Sequence, residues 1–411
     1  MKTFLVGGAV RDQLLNFPVT EKDWVVVGET PDSMLAKGFK PVGKDFPVFL
    51  HPKTQDEYAL ARTERKTGPG YKGFMVYSSP EVNLEQDLIR RDLTVNAMAI
   101  DEQGHLIDPY HGQRDLENKV LRHVSEAFKE DPVRILRVAR FAARYAHIGF
   151  TVAEETLQMM RDMVADGEAQ HLVAERVWAE LNKALNEKTP SAFFRCLKDC
   201  NALAVIFPEI DALFGIPQPA KYHPEIDTGL HTLLCIDQAA LLSDRIEVRF
   251  ATLLHDLGKA VTDPAIWPSH HGHEKKGLPL LEKFCTRNRI PNQLKHIAAR
   301  VMEYHTHSHR AFEMKPATIE KMFYKLGIYK HPENLDIFLL ACEADAKGRT
   351  GLEHNPYPQA QFLKRAAQAA IKADTSPALR QGLENKQIGE AIRQIRVNAI
   401  AEVKSAKNQK S

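Results

Sequence analysis

Two acidic residues, Glu21 and Asp23, directly precede an apolar run and are the first candidates for chemistry in the chain. Side chains alternate along a strand, so both carboxylates are expected on one face. They repel each other unless a cation lies between them, and Mg²⁺ suits one or two carboxylates plus substrate phosphates. In a two-metal displacement, one ion would activate a 3′-hydroxyl and the other would steady the triphosphate leaving group. The competing interpretation is a charged turn before a strand, and Glu57 is a candidate third carboxylate.

A glycine pair that ends at Gly8 follows an apolar run and opens a predicted helix. Glycine lets the backbone approach a phosphate closely, and the start of a helix offers unpaired N–H groups. Arg11 would add a bidentate contact to the same anion. Arg90, Arg91 and Asn96 place two guanidinium groups and an amide beside the same predicted sheet, which suits a triphosphate and a ribose. On its own, such a glycine pair is more often a tight strand–helix connection.

Four charged residues are spaced every three positions along one predicted helix, roughly on one face: Asp131, Arg134, Arg137 and Arg140. Cytosine and adenine both present an amino donor next to a ring-nitrogen acceptor, whereas uracil and guanine reverse that order. A carboxylate beside a guanidinium matches the first pattern, so Asp131 and Arg134 are candidates for selecting C and A without a template. Each buried polar group left unpaired by a wrong base costs about 1–3 kcal/mol. A solvated surface stripe is the alternative interpretation.

A second cluster, far along the chain, combines histidines with aspartates. His255 and Asp256 are adjacent in a predicted helix interior with apolar flanks. His231 lies on the preceding predicted helix and Asp345 on a much later one. Imidazole with carboxylate suits a transition metal such as Ni²⁺, Mn²⁺ or Fe²⁺, and Mg²⁺ less well. The order resembles the HD phosphohydrolase superfamily, although an isolated His–Asp dipeptide is common by chance. Further residues are predicted either to line the cleft or to be solvent-exposed: His270, His271, His273, Glu274, His305, His307 and His309.

The patterns around these residues predict a small sheet followed by helices, which is an α+β fold. Strands are predicted where short Val-, Leu- and aromatic-rich runs occur, at 4–6, 24–27, 48–50, 58–61 and 74–76. Helices are predicted from apolar residues at helical spacing, at 10–15, 93–99, 133–144, 154–165, 174–186, 191–199, 230–242, 248–257, 278–287, 294–305, 317–325 and 335–346. A Pro-punctuated stretch, 207–224, is the predicted linker between two helical regions, and 404–411 is predicted to be a frayed basic tail.

Composition limits the function only weakly. The 411 residues carry a formal net charge of +2, so any polyanion must be held by local clusters of Arg and Lys. The five cysteines are odd in number and are expected to be reduced and packed as small hydrophobes. The apolar run at the start is too short for a signal peptide, and no stretch approaches the length of a membrane span. We therefore expect a cytoplasmic protein.

Taken in order, GGAVRD, the acidic pair, RRDLTVNA and EDPVRILRVARF resemble the class II tRNA nucleotidyltransferases, the bacterial CCA-adding enzymes. The likeness includes HDLGK and is closest to the gamma-proteobacterial multifunctional form. It implies tRNA as substrate, addition of C, C and A from CTP and ATP, and Mg²⁺ at Glu21 and Asp23. It implies nucleotide contacts from Gly8, Arg11, Arg91, Asp131, Arg134, Arg137 and Arg140. It also implies 2′,3′-cyclic phosphodiesterase, 2′-nucleotidase and phosphatase activities in the HD domain.

The same resemblance divides the chain into a head (1–110), a helical neck and body (111–210), an HD domain (225–350) and a C-terminal helical region (351–411). Asp108, Gly112 and Asp115 match the hinge between head and neck. One departure is Glu21, where the family usually has Asp, which affects the metal geometry.

Two other functions fit part of the pattern. A poly(A) polymerase shares the head motifs, and a nucleotide sensor would use the head only to regulate the HD hydrolase. The predicted assembly is a monomer or a homodimer.

Overall fold

The computed structural model describes residues 1–42, 47–66, 74–380 and 385–408. The chain forms two compact units. The first comprises Met1–Ala184 and Ala192–Ile206, and the second comprises Leu185–Ser191 and the chain from Phe207 onward. Every helix in the described ranges is too short or too polar to cross a bilayer.

The strands of the first unit are β1 (Lys2–Val6), β2 (Asp23–Val27), β3 (Lys40–Val42), β4 (Val48–Leu50), β5 (Glu57–Leu60), β6 (Arg62–Lys66), β7 (Phe74–Ser78), β8 (Ala99–Ile100), β9 (Leu106–Ile107), β10 (Val120–Leu121) and β11 (Thr151–Val152). Seven of them form one sheet with the strand order β3-β4-β5-β2-β1-β8-β9. Strand β2 pairs in parallel with β5 and antiparallel with β1. Two further strand pairs are β6 with β7 and β10 with β11.

Strand β2 is buried on both faces, which explains its unbroken apolar run. Val25 packs with Val6 and Leu88 on one face, and Val26 packs with Met34 and Phe49 on the other. A central strand between two apolar layers reads as a continuous hydrophobic segment. Asp23, the first residue of β2, is therefore held at the end of a strand that is packed on both faces.

Helices make up the remainder. Those that begin before Phe207 are α1 (Gly8–Leu14), α2 (Pro31–Ala36), α3 (Leu84–Leu88), α4 (Gly112–Glu117), α5 (Val133–Tyr145), α6 (Glu154–Ala165), α7 (Ala174–Leu185), α8 (Ser191–Asp199) and α9 (Ala202–Ile206). The later ones are α10 (Pro208–Asp211), α11 (Thr228–Leu242), α12 (Ile246–Leu254), α13 (His273–Arg287), α14 (Asn292–His309), α15 (Pro316–Leu326), α16 (Glu333–Lys347), α17 (Pro358–Lys372), α18 (Ser376–Arg380) and α19 (Asn385–Asn408). The predicted α+β class, with a small-sheet head and a helical remainder, is confirmed.

Three local predictions are wrong. The helix expected at 93–99 is a single 3-10 turn at Thr94–Asn96 followed by β8, because Leu93 is extended and forms a bridge to His123. The tail expected to fray is the end of α19 as far as Asn408, and residues 409–411 lie outside the described residues.

The third concerns the His–Asp dipeptide, which does not lie in a helix interior. Helix α12 ends at Leu254, His255 is its C-cap, and Asp256 begins a turn toward the 3-10 helix Leu257–Val261. At this helix end the two side chains still lie in one cluster, with His255 Nε2 3.1 Å from Asp256 Oδ2.

Candidate active sites

Three acidic residues lie near one end of the seven-stranded sheet: Glu21, Asp23 and Glu57. Asp23 begins β2, and Glu57, which begins β5, is its register partner on the parallel neighbour. The pKa of Asp23 is raised, chiefly by burial, against the lowering effect of Arg91, and the negative charge of Glu21 raises it further. Among the described residues, none of the three carboxylates has an ion-pair or side-chain hydrogen-bond partner. Clustered carboxylates without a cationic partner fit a hard divalent ion.

The glycine loop lies against an arginine. Gly7 links β1 to α1 with φ 68°, in the left-handed region that favours glycine. A Cβ at Gly7 would also lie 2.9 Å from Arg91 Nη1, the end of a flexible side chain that can move, so the positive φ is the stronger reason for glycine. Arg91 pairs with the buried Asp87 at 3.2 Å, and Gly8 is the first residue of α1. The loop, this guanidinium and Asp23 therefore lie in one neighbourhood.

A hydrogen-bonded chain joins three of the sequence motifs. Arg11 is buried, pairs with Asp12 at 2.8 Å and donates to Asn96 Oδ1. Asn96 donates to Asp92 at 2.9 Å, and Asp92 accepts from Arg137 Nε at 2.6 Å. Burial raises the pKa of Asp92, but the Arg137 guanidinium and the hydrogen bonds from Asn96 and Arg137 outweigh it and hold the pKa well below its usual value. These hydrogen bonds therefore hold the three motifs together.

The arginines of α5 are not a solvated stripe. Arg134 and Arg140 are each only 8% exposed. Arg134 donates to two backbone carbonyl oxygens at 2.8 and 2.6 Å, and Arg140 pairs with Glu180 at 2.6 Å. Asp131 pairs with Arg176 through two contacts of 2.9 and 3.2 Å.

The backbone places Asp131 apart from the arginines of α5. This residue precedes Pro132 and is extended, so it stands before the helix and outside the three-residue spacing of the arginines. Asp92, Arg176 and Glu180 were not assigned roles by sequence reasoning, although Asp92 lies within RRDLTVNA. Nothing local to Arg176 or Glu180 distinguishes them from other charged helix residues.

The second unit brings together His231, His255, Asp256 and Asp345, hereafter the HD cluster. All four are at most 3% exposed. His231 Nε2 lies 3.1 Å from Asp345 Oδ1, and His255 Nε2 lies 3.1 Å from Asp256 Oδ2. The two cross distances, His231 to Asp256 and His255 to Asp345, are 3.9 and 3.8 Å.

The ring nitrogens of the HD cluster fit a metal ion. His255 Nδ1 lies 2.7 Å from Thr252 O, and His231 Nδ1 lies 3.2 Å from Gly348 O. A carbonyl oxygen only accepts, so each Nδ1 carries the proton and each Nε2 presents a lone pair to a carboxylate. His255 Nε2 is buried without a hydrogen-bond partner among the described residues. A cation between these nitrogens and the carboxylate oxygens would offset their repulsion, as in metal sites whose outer nitrogen is held by a carbonyl.

The other histidines named from the sequence lie either near the aspartates of the HD cluster or along a cavity, and His273 does both. His309 Nε2 lies 2.6 Å from Asp345 Oδ2, and His273 and His305 approach Asp256. His271 and His307 instead line a cavity of about 640 Å³, to which His270, His273 and Glu274 also contribute.

Three family models match successive parts of the chain. The Poly A polymerase head domain matches residues 3–122, the probable RNA and SrmB-binding site of polymerase A matches 149–214, and the HD domain matches 228–335.

The chain is also similar to whole proteins from bacteria. It is 58% identical over 409 residues to the multifunctional CCA protein of Methylococcus capsulatus, covering 99% of this chain and 96% of that one. The multifunctional CCA protein of Teredinibacter turnerae is 58% identical over 406 residues, covering 99% of each chain. Among solved structures, the Bacillus stearothermophilus CCA-adding enzyme in complex with CTP superposes with a TM-score of 0.64 at 21% identity, covering 99% of this chain and 94% of that one. The Thermotoga maritima CCA-adding enzyme complexed with tRNA gives 0.62 at 20%, covering 98% and 91%. At these identities, the two solved structures support the fold alone.

Proposed function

The chain belongs to the family of multifunctional CCA proteins, and from that premise we propose that it adds C, C and A to the 3′ end of tRNA from CTP and ATP, releasing pyrophosphate. The observation that carries this proposal is the position of Asp23, in register with Glu57 and within electrostatic reach of Glu21 and of Arg91, which lies against the glycine loop. The carboxylates face a neighbourhood suited to a triphosphate, which is what nucleotidyl transfer requires.

In this proposal the carboxylates hold Mg²⁺. Two bound ions would supply the charge that activates the tRNA 3′-hydroxyl and neutralises the departing pyrophosphate. Gly7 and Gly8 let the backbone approach the phosphates, and Arg91 adds a guanidinium contact. Arg11 lies behind the loop and holds it to Asn96.

We further propose that Asp131 and Arg134 read the base edge, with Arg137 and Arg140 on the same helix supporting them. Arg176 orients the Asp131 carboxylate through its two contacts, and the backbone carbonyls hold Arg134. An Arg176→Ala chain should therefore lose discrimination of CTP from UTP by about tenfold or more, the effect of roughly 1.4 kcal/mol. Arg195→Ala, an exposed change on α8, is the matched control. Unchanged discrimination in Arg176→Ala would exclude this role.

Extension of a tRNA that lacks its 3′ end tests the main proposal. Sequencing of the products should show that the wild-type chain adds C, C and A and then stops, whereas a poly(A) polymerase would add an A tail. Asp23→Asn should abolish extension, and Glu81→Gln, at an exposed carboxylate of the same unit, should not. A nucleotide sensor would bind CTP without releasing pyrophosphate and would not extend tRNA. Asp23→Asn would then leave hydrolysis unchanged.

For the second unit, we propose a metal-dependent phosphohydrolase that acts on 2′,3′-cyclic phosphates, 2′-nucleotides and phosphomonoesters. The support is the HD cluster, whose ligand set of imidazole and carboxylate favours a transition metal such as Ni²⁺. A bound ion would supply the charge that activates water for attack on phosphorus. Lys259 contacts Asp256 at 2.6 Å and Arg349 contacts Asp345 at 3.4 Å, which helps to orient both carboxylates. Hydrolysis of a 2′,3′-cyclic nucleotide by the whole chain, lost on His255→Ala, is the test.

A further inference from the structure

The cavity of the second unit has mostly polar walls and one exposed aromatic ring. Most side chains that line its volume of about 640 Å³ are polar or charged, and the apolar exceptions are Pro219, Tyr222 and Met314. Tyr222 is 55% exposed. Among the described residues, no aromatic ring stacks on it, and Lys221 Nζ lies 5.3 Å from its centroid. The cavity is within the size range of small-molecule sites, roughly 300–1,000 Å³, and the ring offers such a ligand a flat apolar surface.

The turn that carries Tyr222 is fixed to the HD cluster. Tyr222 and His223 both donate their backbone N–H groups to Pro219 O, at 2.9 and 3.0 Å. The side chain of His223 places Nδ1 3.1 Å from Glu225 Oε1, and the same oxygen lies 2.9 Å from Nδ1 of His231, a member of the HD cluster. The Glu225 side chain is only 3% exposed. The aromatic ring therefore lies on a turn whose next side chain is linked to the HD cluster through a buried carboxylate.

A different part of the lining connects the cavity to the same cluster. His273 lines the cavity, and its Nε2 lies 3.2 Å from Asp256 Oδ1. His231 and His255 are not part of the lining. A ligand whose phosphate reaches the HD cluster would therefore place the rest of the molecule in the cavity, where Tyr222 is the aromatic surface.

We propose that Tyr222 binds the base of the hydrolase substrate by stacking, so that the second unit favours phosphorylated nucleosides over phosphomonoesters that have no base. This inference rests on the proposed phosphohydrolase function and specifies its substrate class. Every base has a flat face, so stacking on an aromatic ring does not depend on which base is present, and its loss changes affinity by roughly five- to 100-fold. The nucleoside is either free or the last residue of an RNA strand, because both present the same base and phosphate.

Steady-state hydrolysis by the whole chain, with added Ni²⁺, tests the inference on three phosphomonoesters. These are adenosine 2′-phosphate, a short single-stranded RNA that ends in a 2′-phosphate, and glycerol 2-phosphate, which has no base. We expect Tyr222→Ala to raise KM for a base-bearing substrate by roughly five- to 100-fold and to leave kcat within about twofold, since the contact is present before and during the reaction. KM for glycerol 2-phosphate should not change. A rise for adenosine 2′-phosphate assigns the site to a free nucleotide, and a rise for the RNA assigns it to a strand end; either supports the proposal.

Two further variants serve as controls. Tyr222→Phe keeps the ring and should retain the wild-type KM, and Tyr324→Ala, at an exposed tyrosine of α15, should also leave KM unchanged. An unchanged KM for both base-bearing substrates in Tyr222→Ala, or an equal rise for glycerol 2-phosphate, would overturn the base site and leave the proposed hydrolase intact. A wild-type chain that hydrolyses none of the three substrates would overturn both proposals.

Discussion

At the scale of single residues, Asp92 is the link on which the first unit depends. Its two oxygens connect Asn96 to Arg137, and through Asn96 it reaches Arg11. Each of these partners belongs to a motif that the sequence presents separately. Removing the charge of Asp92 should therefore disturb three motifs together.

We expect Asp92→Asn to lower the unfolding free energy of the first unit by about 3 kcal/mol at pH 7, since it leaves Arg137 without its buried partner. The folded pKa of Asp92 lies below the ordinary 3.8, so the pair stabilises fully above that pH. The deficit should hold from pH 7 to 4.5 and shrink as the pH falls below 3.8. Urea unfolding at each pH measures it, with the exposed Asp32→Asn as control. A deficit that grows toward acid would contradict the assignment.

The cysteines give a second prediction at this scale. All five are buried and reduced, as expected: Cys196, Cys200, Cys235, Cys285 and Cys342. Burial raises the pKa of Cys200 to about 11 and that of Cys285 to about 12, so little thiolate is present at neutral pH. A thiol-exchange reagent at pH 8 should modify fewer than one thiol per folded chain within minutes and all five after denaturation. A fast phase of one full equivalent would show an accessible thiol.

At the scale of elements, the glycine of HDLGK determines how closely α13 packs. A Cβ at Gly258 would overlap His273 O and lie 2.7 Å from Gly277 N, both of them backbone atoms that cannot rotate away. The turn after Asp256 and the first residue of α13 are therefore in direct backbone contact. This contact is what brings His273 to the HD cluster.

We expect Gly258→Ala to push α13 outward, lower the unfolding free energy of the second unit by about 1–3 kcal/mol and reduce hydrolysis by roughly tenfold or more. Gly389→Ala is the matched control, because nothing lies within 4 Å of its Cβ position in the second turn of α19. That change should be neutral or stabilise by up to about 1 kcal/mol. Equal behaviour of the two variants would show that the close packing has no functional consequence.

The helices and strands were predicted where the apolar pattern lies within the element itself. The apolar spacing of α5, α6 and α8 and the runs of β1 and β2 identified those elements to within a few residues. The 3-10 turn at Thr94–Asn96 was missed because Leu93 forms its bridge to His123, 30 positions away. Side-chain partners were missed for the same reason.

Partners at long sequence separation explain the incomplete picture of the sites. Asp131 and Arg176 are 45 residues apart, and His273 and His305 are 32 apart. A single sequence contains no signal that relates such pairs, whereas His255 and Asp256 are adjacent and visible. The predicted four-part division of the chain also remains a prediction, since the two compact units do not test it.

At the scale of the whole molecule, the two sets of candidate catalytic residues lie in separate compact units. Asp23→Ala should therefore reduce tRNA extension by more than about 100-fold and leave cyclic phosphate hydrolysis within twofold of the wild type. His255→Ala should give the reverse result. Steady-state assays of both reactions on each chain measure this. Loss of both activities in either variant, with an unchanged unfolding midpoint, would show that the two sites are coupled.

The two sites should also respond differently to metals, because their ligands differ. Glu21, Asp23 and Glu57 offer only oxygen, which suits Mg²⁺, whereas the HD cluster combines oxygen with the imidazole nitrogens of His231 and His255. After chelation, Mg²⁺ alone should restore tRNA extension fully but hydrolysis to less than about a tenth of its original rate. Ni²⁺ or Mn²⁺ should restore hydrolysis. At a free concentration of 100 times its dissociation constant, the transition metal should raise the unfolding free energy of the second unit by about 2.7 kcal/mol. His255→Ala should abolish that increment, whereas Asp23→Ala should retain it. Full restoration of hydrolysis by Mg²⁺ would mean that the carboxylates Asp256 and Asp345, and not the imidazoles, dominate metal selection.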